Sequence, residues 1–110
     1  MDATSGLAAV DRIFDSSKPT AVFCANDLLA IGVIHGLRGR GLRTPADVAV
    51  VGYDDVELAA MTDPPLTTVH QPSYELGATA YELLQRGAPP EQRSFSPHLV
   101  QRESTGVLLH

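Results

Sequence analysis

Apolar residues along the chain recur at helical spacing in some stretches and form short continuous runs in others. Spacings of three and four residues predict amphipathic helices, and short β-branched runs between turn formers predict strands. The predicted helices are Ser5–Asp15, Asp27–Arg40 and Ser73–Arg86, and the predicted strands are Thr20–Ala25, Val48 to Gly52 or Tyr53, Leu66–His70 and Pro97–Arg102. Val56–Met61 is predicted as a short helical turn and Glu103–His110 as a tail. Strands alternating with helices favour a parallel sheet with flanking helices, so we expect an α/β fold.

The ends of the predicted helices carry recognisable signals. Thr4 or Ser5 can cap the start of the first helix, and Pro19 cannot continue it. Gly41 can supply the left-handed residue that closes the second helix. These signals support the predicted order of elements.

The second predicted helix has two apolar faces. The broad face consists of Leu29, Ala30, Val33, Ile34 and Leu37, and a smaller stripe consists of Leu28 and Ile31, continued by His35 and Arg38. A surface helix normally buries one apolar face. The second stripe therefore indicates either contact with another subunit or packing under a neighbouring loop, and the pattern alone leaves both open.

The first two predicted strands are expected to be buried, and both run into acidic or amide residues. The run Ala21–Ala25 leads into Asn26, and the following strand leads into Asp54 and Asp55. Because parallel strands end at one edge of a sheet, where ligands of open α/β folds bind, Asn26 and Asp54 are predicted to face one crevice. Together with Gln71 they offer acceptors and donors that suit the hydroxyl groups of a sugar or similar polar ligand.

Each of these residues also has a purely structural interpretation. Asn26 can cap the second helix, and Asp54 and Asp55 can shape a loop. Gln71 can be a solvated residue before Pro72. Spacing alone does not choose between these roles and ligand binding.

Composition places the chain among single-domain globular proteins. It has 110 residues, of which 44% are hydrophobic and 19% charged, and its formal net charge is −5. No apolar run approaches the roughly 20 residues of a membrane span, and the amino terminus lacks a signal-peptide pattern. The only basic cluster, Arg38, Arg40 and Arg43, lies at a predicted helix end where cations complement the helix dipole. The chain alone is not expected to bind DNA or a membrane.

The sequence offers little for catalysis or metal binding. Its 4 histidines show no metal-ligand spacing, and its 1 cysteine, Cys24, lies in an apolar strand. Neither a Gly-x-Ser-x-Gly nucleophile motif nor a glycine-rich phosphate loop occurs. Asp54 and Asp55 could belong to a phospho-accepting receiver, but that chemistry needs a later lysine and none follows Lys18. We expect no enzymatic activity, no metal and no cofactor.

Several long motifs in the chain keep a common order and spacing. They are Pro19–Gly32, Gly41–Asp55, Pro64–Pro72 and Leu99–Gly106. From about Gly6 to Gly106 the chain thereby resembles the lactose-repressor/galactose-repressor (LacI-type) family of transcription regulators. The resemblance implies a core of two Rossmann-like lobes of the type I periplasmic-binding-protein kind and an amino-terminal helix-turn-helix for operator DNA. Residues 1–110 would form one partial effector-binding and dimerisation domain, without the helix-turn-helix and most of the first lobe.

The resemblance also assigns expected roles to particular residues. Those matching the effector pocket or its wall are Asn26, Asp54, Gln71, Ser73 and Leu76. Those matching the subunit interface are Ile31, Met61 and Thr62, with Leu28 on the same stripe. The expected partners are a small-molecule effector, such as a sugar, and a second copy of the chain in a homodimer or higher oligomer.

The implied function is that of a cytoplasmic regulator whose effector changes operator affinity by linkage. One alternative is a secreted sugar-binding protein of the same fold, and another is an enzyme that uses Asp54 or Asp55. The resemblance places the third helix against the missing lobe. Its stripe of Leu76, Ala80, Leu83 and Leu84 would then be exposed, and we expect the chain to associate through it.

Overall fold

The computed structural model describes residues 2–87, 92 and 94–106. Its helices are α1 (Ala3–Ser16), α2 (Asp27–Gly39) and α3 (Ser73–Arg86), and its strands are β1 (Ala21–Phe23), β2 (Ala49–Val51), β3 (Thr68–His70) and β4 (His98–Val100). Short 3₁₀ helices span Glu57–Ala60 and Glu103–Thr105. The bounds predicted for α3 agree with the structure, and each strand is shorter than predicted.

The strands lie in the order β1, β2, β3, β4. β1 and β2 pair in parallel, with Val22 opposite Val50. Single parallel bridges join Val51 to Thr67 and Asp54 to His70, so β3 continues the sheet beside β2. β4 runs antiparallel to β3, a direction that the sequence does not predict. The predicted α/β class with a parallel Rossmann-like sheet is confirmed, and the first three strands end at one edge.

The hydrophobic core lies between the sheet and helices α1 and α2. Its buried members are Val10, Cys24, Ala30, Val33, Ile34, Leu37, Val48, Val50, Ala59 and Leu66. The broad apolar face predicted for α2 contributes four of them, with Leu29 packed against the rest. α1 and α2 approach closely at two glycines: a Cβ at Gly6 would overlap the carbonyl oxygen of Leu29, and one at Gly32 that of Ala3.

Two local expectations near the amino terminus are wrong. The residue that caps α1 is Asp2, whose carboxylate accepts the Ser5 N–H at 2.9 Å, and not Thr4 or Ser5. The helix starts earlier than predicted because Asp2 supplies this acceptor. β1 is not a buried strand, since Phe23 is 67% exposed. The helices cover only the face of the strand that carries Val22, and no described element covers the other.

The predicted tail is also wrong over residues 103–106. There the chain forms the second 3₁₀ helix, and Ser104 is fully buried. The Ser104 hydroxyl donates to the Val50 carbonyl at 2.6 Å and accepts the Thr67 N–H at 2.8 Å. This segment is therefore bonded into the sheet, because one hydroxyl satisfies backbone groups of two strands. Residues 107–110 of the predicted tail lie outside the described residues.

Glycines close both α2 and α3, and the one after α2 is the glycine that the sequence predicts. Gly41 has φ +76, and the N–H groups of Gly41 and Leu42 donate to the carbonyls of Arg38 and Leu37. This pair of bonds is the Schellman motif. Gly87, at φ +61, closes α3 in the same left-handed region.

Helix α3 lies apart from the core. None of its residues is fully buried, and its large apolar side chains include Leu76 at 40% and Leu84 at 81% exposure. The stripe predicted on this helix is thus largely uncovered, although Leu83 is half-buried. The helix presents an apolar surface to whatever packs beside this chain.

Candidate functional site

The loop after β2 turns sharply at two acidic residues. Asp54 has φ +117 and Asp55 has φ +59, a region that residues with a Cβ rarely adopt. Such a conformation costs of the order of 1–3 kcal/mol per residue and persists only where surrounding contacts impose it. The Asp54 N–H donates to the Val69 carbonyl at 2.9 Å, and the Asp54 side chain is exposed. The strained turn therefore holds a carboxylate out from the carboxyl edge of the sheet.

Asp55 anchors this turn from the inside. Its Oδ1 accepts from Nη2 of Arg102 at 2.9 Å, and its Oδ2 lies 2.9 Å from Nδ1 of His70. Partial burial raises the pKa of Asp55, but the hydrogen bonds and charges of Arg102 and His70 outweigh it and hold the pKa below its ordinary value. Because an ionised carboxylate only accepts hydrogen bonds, Nδ1 of His70 carries the hydrogen of this contact.

A second carboxyl group fixes the far end of the same loop. Asp27, at the first position of α2, is fully buried. Its Oδ1 accepts from the Thr68 hydroxyl at 2.6 Å, and its Oδ2 accepts the Val56 N–H at 2.8 Å. Gly52 packs against it so closely that a Cβ there would overlap Oδ1 of Asp27. Asp27 thereby ties α2, β3 and the loop after β2 together.

The loop borders an open pocket of about 560 Å³ at the amino end of α3. Its lining residues are Asp54, Asp55, Val56, His70, Gln71, Ser73, Tyr74 and Glu75. Three of the five effector residues expected from sequence, Asp54, Gln71 and Ser73, are thus brought together. Nε2 of Gln71 donates to the Tyr53 hydroxyl at 3.1 Å.

The other two expected effector residues do not line this pocket. Asn26 caps α2, since its Oδ1 accepts the Leu29 N–H at 2.8 Å and its backbone is extended. The structural interpretation of Asn26 is therefore correct, and a second role for its side chain stays a prediction. Leu76 lies on α3, 40% exposed.

The residues expected at a subunit interface share one side of the molecule near α2. Leu28 and Met61 are 45% and 74% exposed, and Ile31 and Thr62 are half-buried. Ile31 and Thr62 line a small cleft of about 120 Å³. The Thr62 hydroxyl donates within its own loop, to the Pro64 carbonyl at 2.8 Å. The second stripe of α2 is thus not covered by a described loop at Leu28.

The remaining candidate chemistry is sparse. Within residues 2–87, 92 and 94–106, no group of three His, Cys, Asp or Glu side chains could hold a metal ion. Burial raises the pKa of Cys24 to about 11, which disfavours the reactive thiolate. None of the helices described has both the length and the apolar character needed to cross a membrane.

The sequence profile of the periplasmic binding protein-like domain matches residues 1–105. The chain belongs to the periplasmic binding protein-like family. Its predicted LacI-type character is confirmed by relatives such as the HTH-type transcriptional repressor PurR of Vibrio atlanticus (strain LGP32), which is 40% identical over 113 residues. That alignment covers 97% of this chain and 34% of PurR, so the chain spans about a third of the length of the curated relatives it matches.

Solved structures of LacI-type proteins match the fold of this family member closely. The lac repressor dimer bound to operator and the anti-inducer ONPF superposes with a TM-score of 0.88 at 35% identity, over 96% of this chain and 34% of that one. A LacI family regulator from Enterococcus faecalis V583 with bound ribose superposes with a TM-score of 0.87 at 34% identity, over 99% of this chain and 42% of that one. The chain therefore corresponds to part of the effector-binding core of LacI-type repressors.

Sequence reasoning missed four residues that shape this part of the LacI-type core: Asp27, Thr68, Arg102 and Ser104. Each acts through a partner at least 29 positions away in the chain. For Asp27 the one local signal was its place directly after Asn26, because an acidic residue in the first turn complements the helix dipole.

Proposed function

We propose that this chain is the carboxy-terminal part of a LacI-type transcriptional regulator and forms one wall of a pocket for a small polar effector, such as a sugar. The observation that carries the proposal is the Asp54 carboxylate, held at the carboxyl edge of the sheet in a strained turn. This carboxylate has no hydrogen-bond or ion-pair partner among the described residues. A ligand hydroxyl could donate to it in a charge-assisted bond.

The rest of the pocket suits a ligand rich in hydroxyl groups. Gln71 and Ser73 offer both donors and acceptors beside Asp54. The exposed ring of Tyr74 offers an apolar surface against which a sugar face could pack. The ribose bound to the Enterococcus faecalis regulator supports a sugar as the effector class. The opposite wall would come from residues outside this chain, so binding to this chain alone is expected to be weak.

In the longer protein, the effector would act by population shift. It would favour one arrangement of the two lobes, and the affinity for operator DNA would change by linkage. DNA contact would come from a helix-turn-helix outside this chain, as the name of the PurR relatives indicates for those proteins. The proposed place of action is the cytoplasm, where operator DNA lies, and the proposed role involves no catalysis. Asp55 is a poor candidate for a catalytic base because Arg102 and His70 already engage its carboxylate.

The effector role is tested with the Asp54→Asn variant and a panel of D-ribose, D-glucose, D-galactose and cellobiose. We expect at least one sugar to bind the parent chain and to bind the variant about tenfold more weakly, because a charge-assisted bond becomes a neutral one. Titrations followed by nuclear magnetic resonance measure the dissociation constants. Asp11→Asn, an exposed change on α1, is the control and should bind like the parent. Equal affinity of the Asp54→Asn variant and the parent would refute the role of Asp54.

We further propose that Leu28, Ile31, Met61 and Thr62 contribute to a dimer interface. The lac repressor neighbour is a dimer, and Met61 is the most exposed apolar residue on this side of the molecule. Met61→Lys is expected to shift the chain toward the monomer in sedimentation velocity, because burying an unpaired ammonium is costly. Leu99→Lys, on β4 at a site 61% exposed, is the matched control. A sedimentation profile that Met61→Lys leaves unchanged would count against this surface.

A further inference from the structure

Arg102 connects the chain after β4 to the loop that presents Asp54. Its Nη2 donates to Oδ1 of Asp55 at 2.9 Å, and its Nη1 donates to the Leu66 carbonyl at 2.9 Å. Its backbone N–H donates to the Thr67 hydroxyl at 2.8 Å. The side chain is 20% exposed, so these bonds are largely shielded from water. One guanidinium therefore fixes the Asp55 carboxylate relative to the strand beside it.

Arg102 does not itself line the pocket, and it reaches the site through Asp55. Asp55 and Asp54 are consecutive residues with φ of +59 and +117. A residue with a Cβ leaves this region unless other contacts hold it there. The contacts that hold Asp55 are Arg102, His70 and the Thr68 hydroxyl, which accepts the Asp55 N–H at 3.3 Å. Of these, only Arg102 brings a permanent charge.

We propose that Arg102 is a positioning residue for effector recognition, which acts through Asp55 to keep the Asp54 carboxylate turned into the pocket. The inference rests on the proposed effector role of Asp54 and adds the contact that maintains the backbone conformation of Asp54. Loss of the Arg102 side chain frees Asp55, and the turn then relaxes toward negative φ. The bond from the Asp54 N–H to the Val69 carbonyl is broken by that relaxation.

Amide hydrogen exchange of Arg102→Gln in the full 110-residue chain tests the positioning directly. We expect the Asp54 amide to exchange about tenfold faster than in the parent, relative to the Cys24 amide, since a charge-assisted bond restrains its turn. The Cys24 N–H donates to the Val51 carbonyl between β1 and β2 and reports general stability. Arg86→Gln removes an exposed arginine paired to Glu82 and should change neither rate. Asp55→Asn removes the negative charge from the same contact and should reproduce the selective acceleration.

Two results, seen in both Arg102→Gln and Asp55→Asn, would overturn the inference. One is that the Asp54 and Cys24 amides exchange faster by the same factor, and the other is that neither exchanges faster. If one variant does not fold, the other decides. D-ribose titration separates the inference from the proposed function: Arg102→Gln should weaken ribose binding in the parent and not in the Asp54→Asn background. If Asp54→Asn binds ribose like the parent, the effector role fails, and the exchange rates still decide whether Arg102 holds the turn.

Discussion

Replacing Asp27 with alanine is expected to lower the free energy of unfolding by about 3 kcal/mol, since it leaves the Thr68 hydroxyl and the Val56 N–H without their acceptor. Thr68 is fully buried, so water cannot replace the lost bond there without entering the core. Loss of the two hydrogen bonds to Asp27 also frees the loop that carries Asp54. Urea denaturation followed by circular dichroism measures the change.

The Asp27→Asn variant sharpens this prediction. An asparagine can accept the Val56 N–H through Oδ1 and donate from Nδ2 to the Thr68 hydroxyl, which can accept as well as donate. We therefore expect Asp27→Asn to cost only about 1 kcal/mol. Asp11→Ala, at an exposed carboxylate on α1, should change stability by less than about 0.5 kcal/mol. If Asp27→Ala were no more destabilising than Asp11→Ala, the stabilising role of the buried Asp27 carboxylate would be refuted.

Gly32→Ala is expected to lower the free energy of unfolding by at least about 1–3 kcal/mol, because the new Cβ would overlap the backbone of Ala3 at the crossing of α1 and α2. Neither backbone can move away without opening the core around Val10 and Val33. Thermal unfolding of the variant beside the parent measures the loss.

The same helix provides the matched control for this substitution. A Cβ at Gly39 would meet nothing within 4 Å. Gly39→Ala should therefore stabilise the chain by about 0.5–1 kcal/mol, through the higher helix propensity of alanine. Opposite signs for the two substitutions would support the close crossing. A Gly32→Ala variant as stable as Gly39→Ala would show that the helices do not meet there.

The order of helices and strands could be predicted because hydrophobic periodicity is a local signal. α3 shows this most clearly, because the bounds predicted from its apolar spacing agree with the observed ones. β1 could not be predicted as half-exposed, because the exposure of Phe23 depends on which elements are present to cover it. The segment around Ser104 has the composition of a polar tail, although its hydroxyl joins two strands of the sheet.

The candidate site was predictable only in part, for a similar reason. The rule that parallel strands end at one edge predicted a common crevice for Asn26 and Asp54, with Gln71 beside them. In the structure Asp54 and Gln71 line one pocket that Asn26 does not line, and Ser73, which only the family resemblance suggested, lines it as well. The rule could not distinguish Asp54, which is exposed, from Asp55, which Arg102 engages from 47 positions away. Neither could it foresee the positive φ of a non-glycine pair, because tertiary contacts impose that conformation.

The most direct test of the central claim is a chemical-shift map of the parent chain titrated with the tightest-binding sugar of the panel. We expect the largest perturbations at the amides of Asp54, Gln71 and Ser73, with a smaller effect near Asn26. The chain also has an apolar cleft of about 430 Å³ that includes Phe14 and Val48. Perturbations centred on that cleft, or none at Asp54 under saturating sugar, would contradict the assignment of this loop as the wall of an effector pocket.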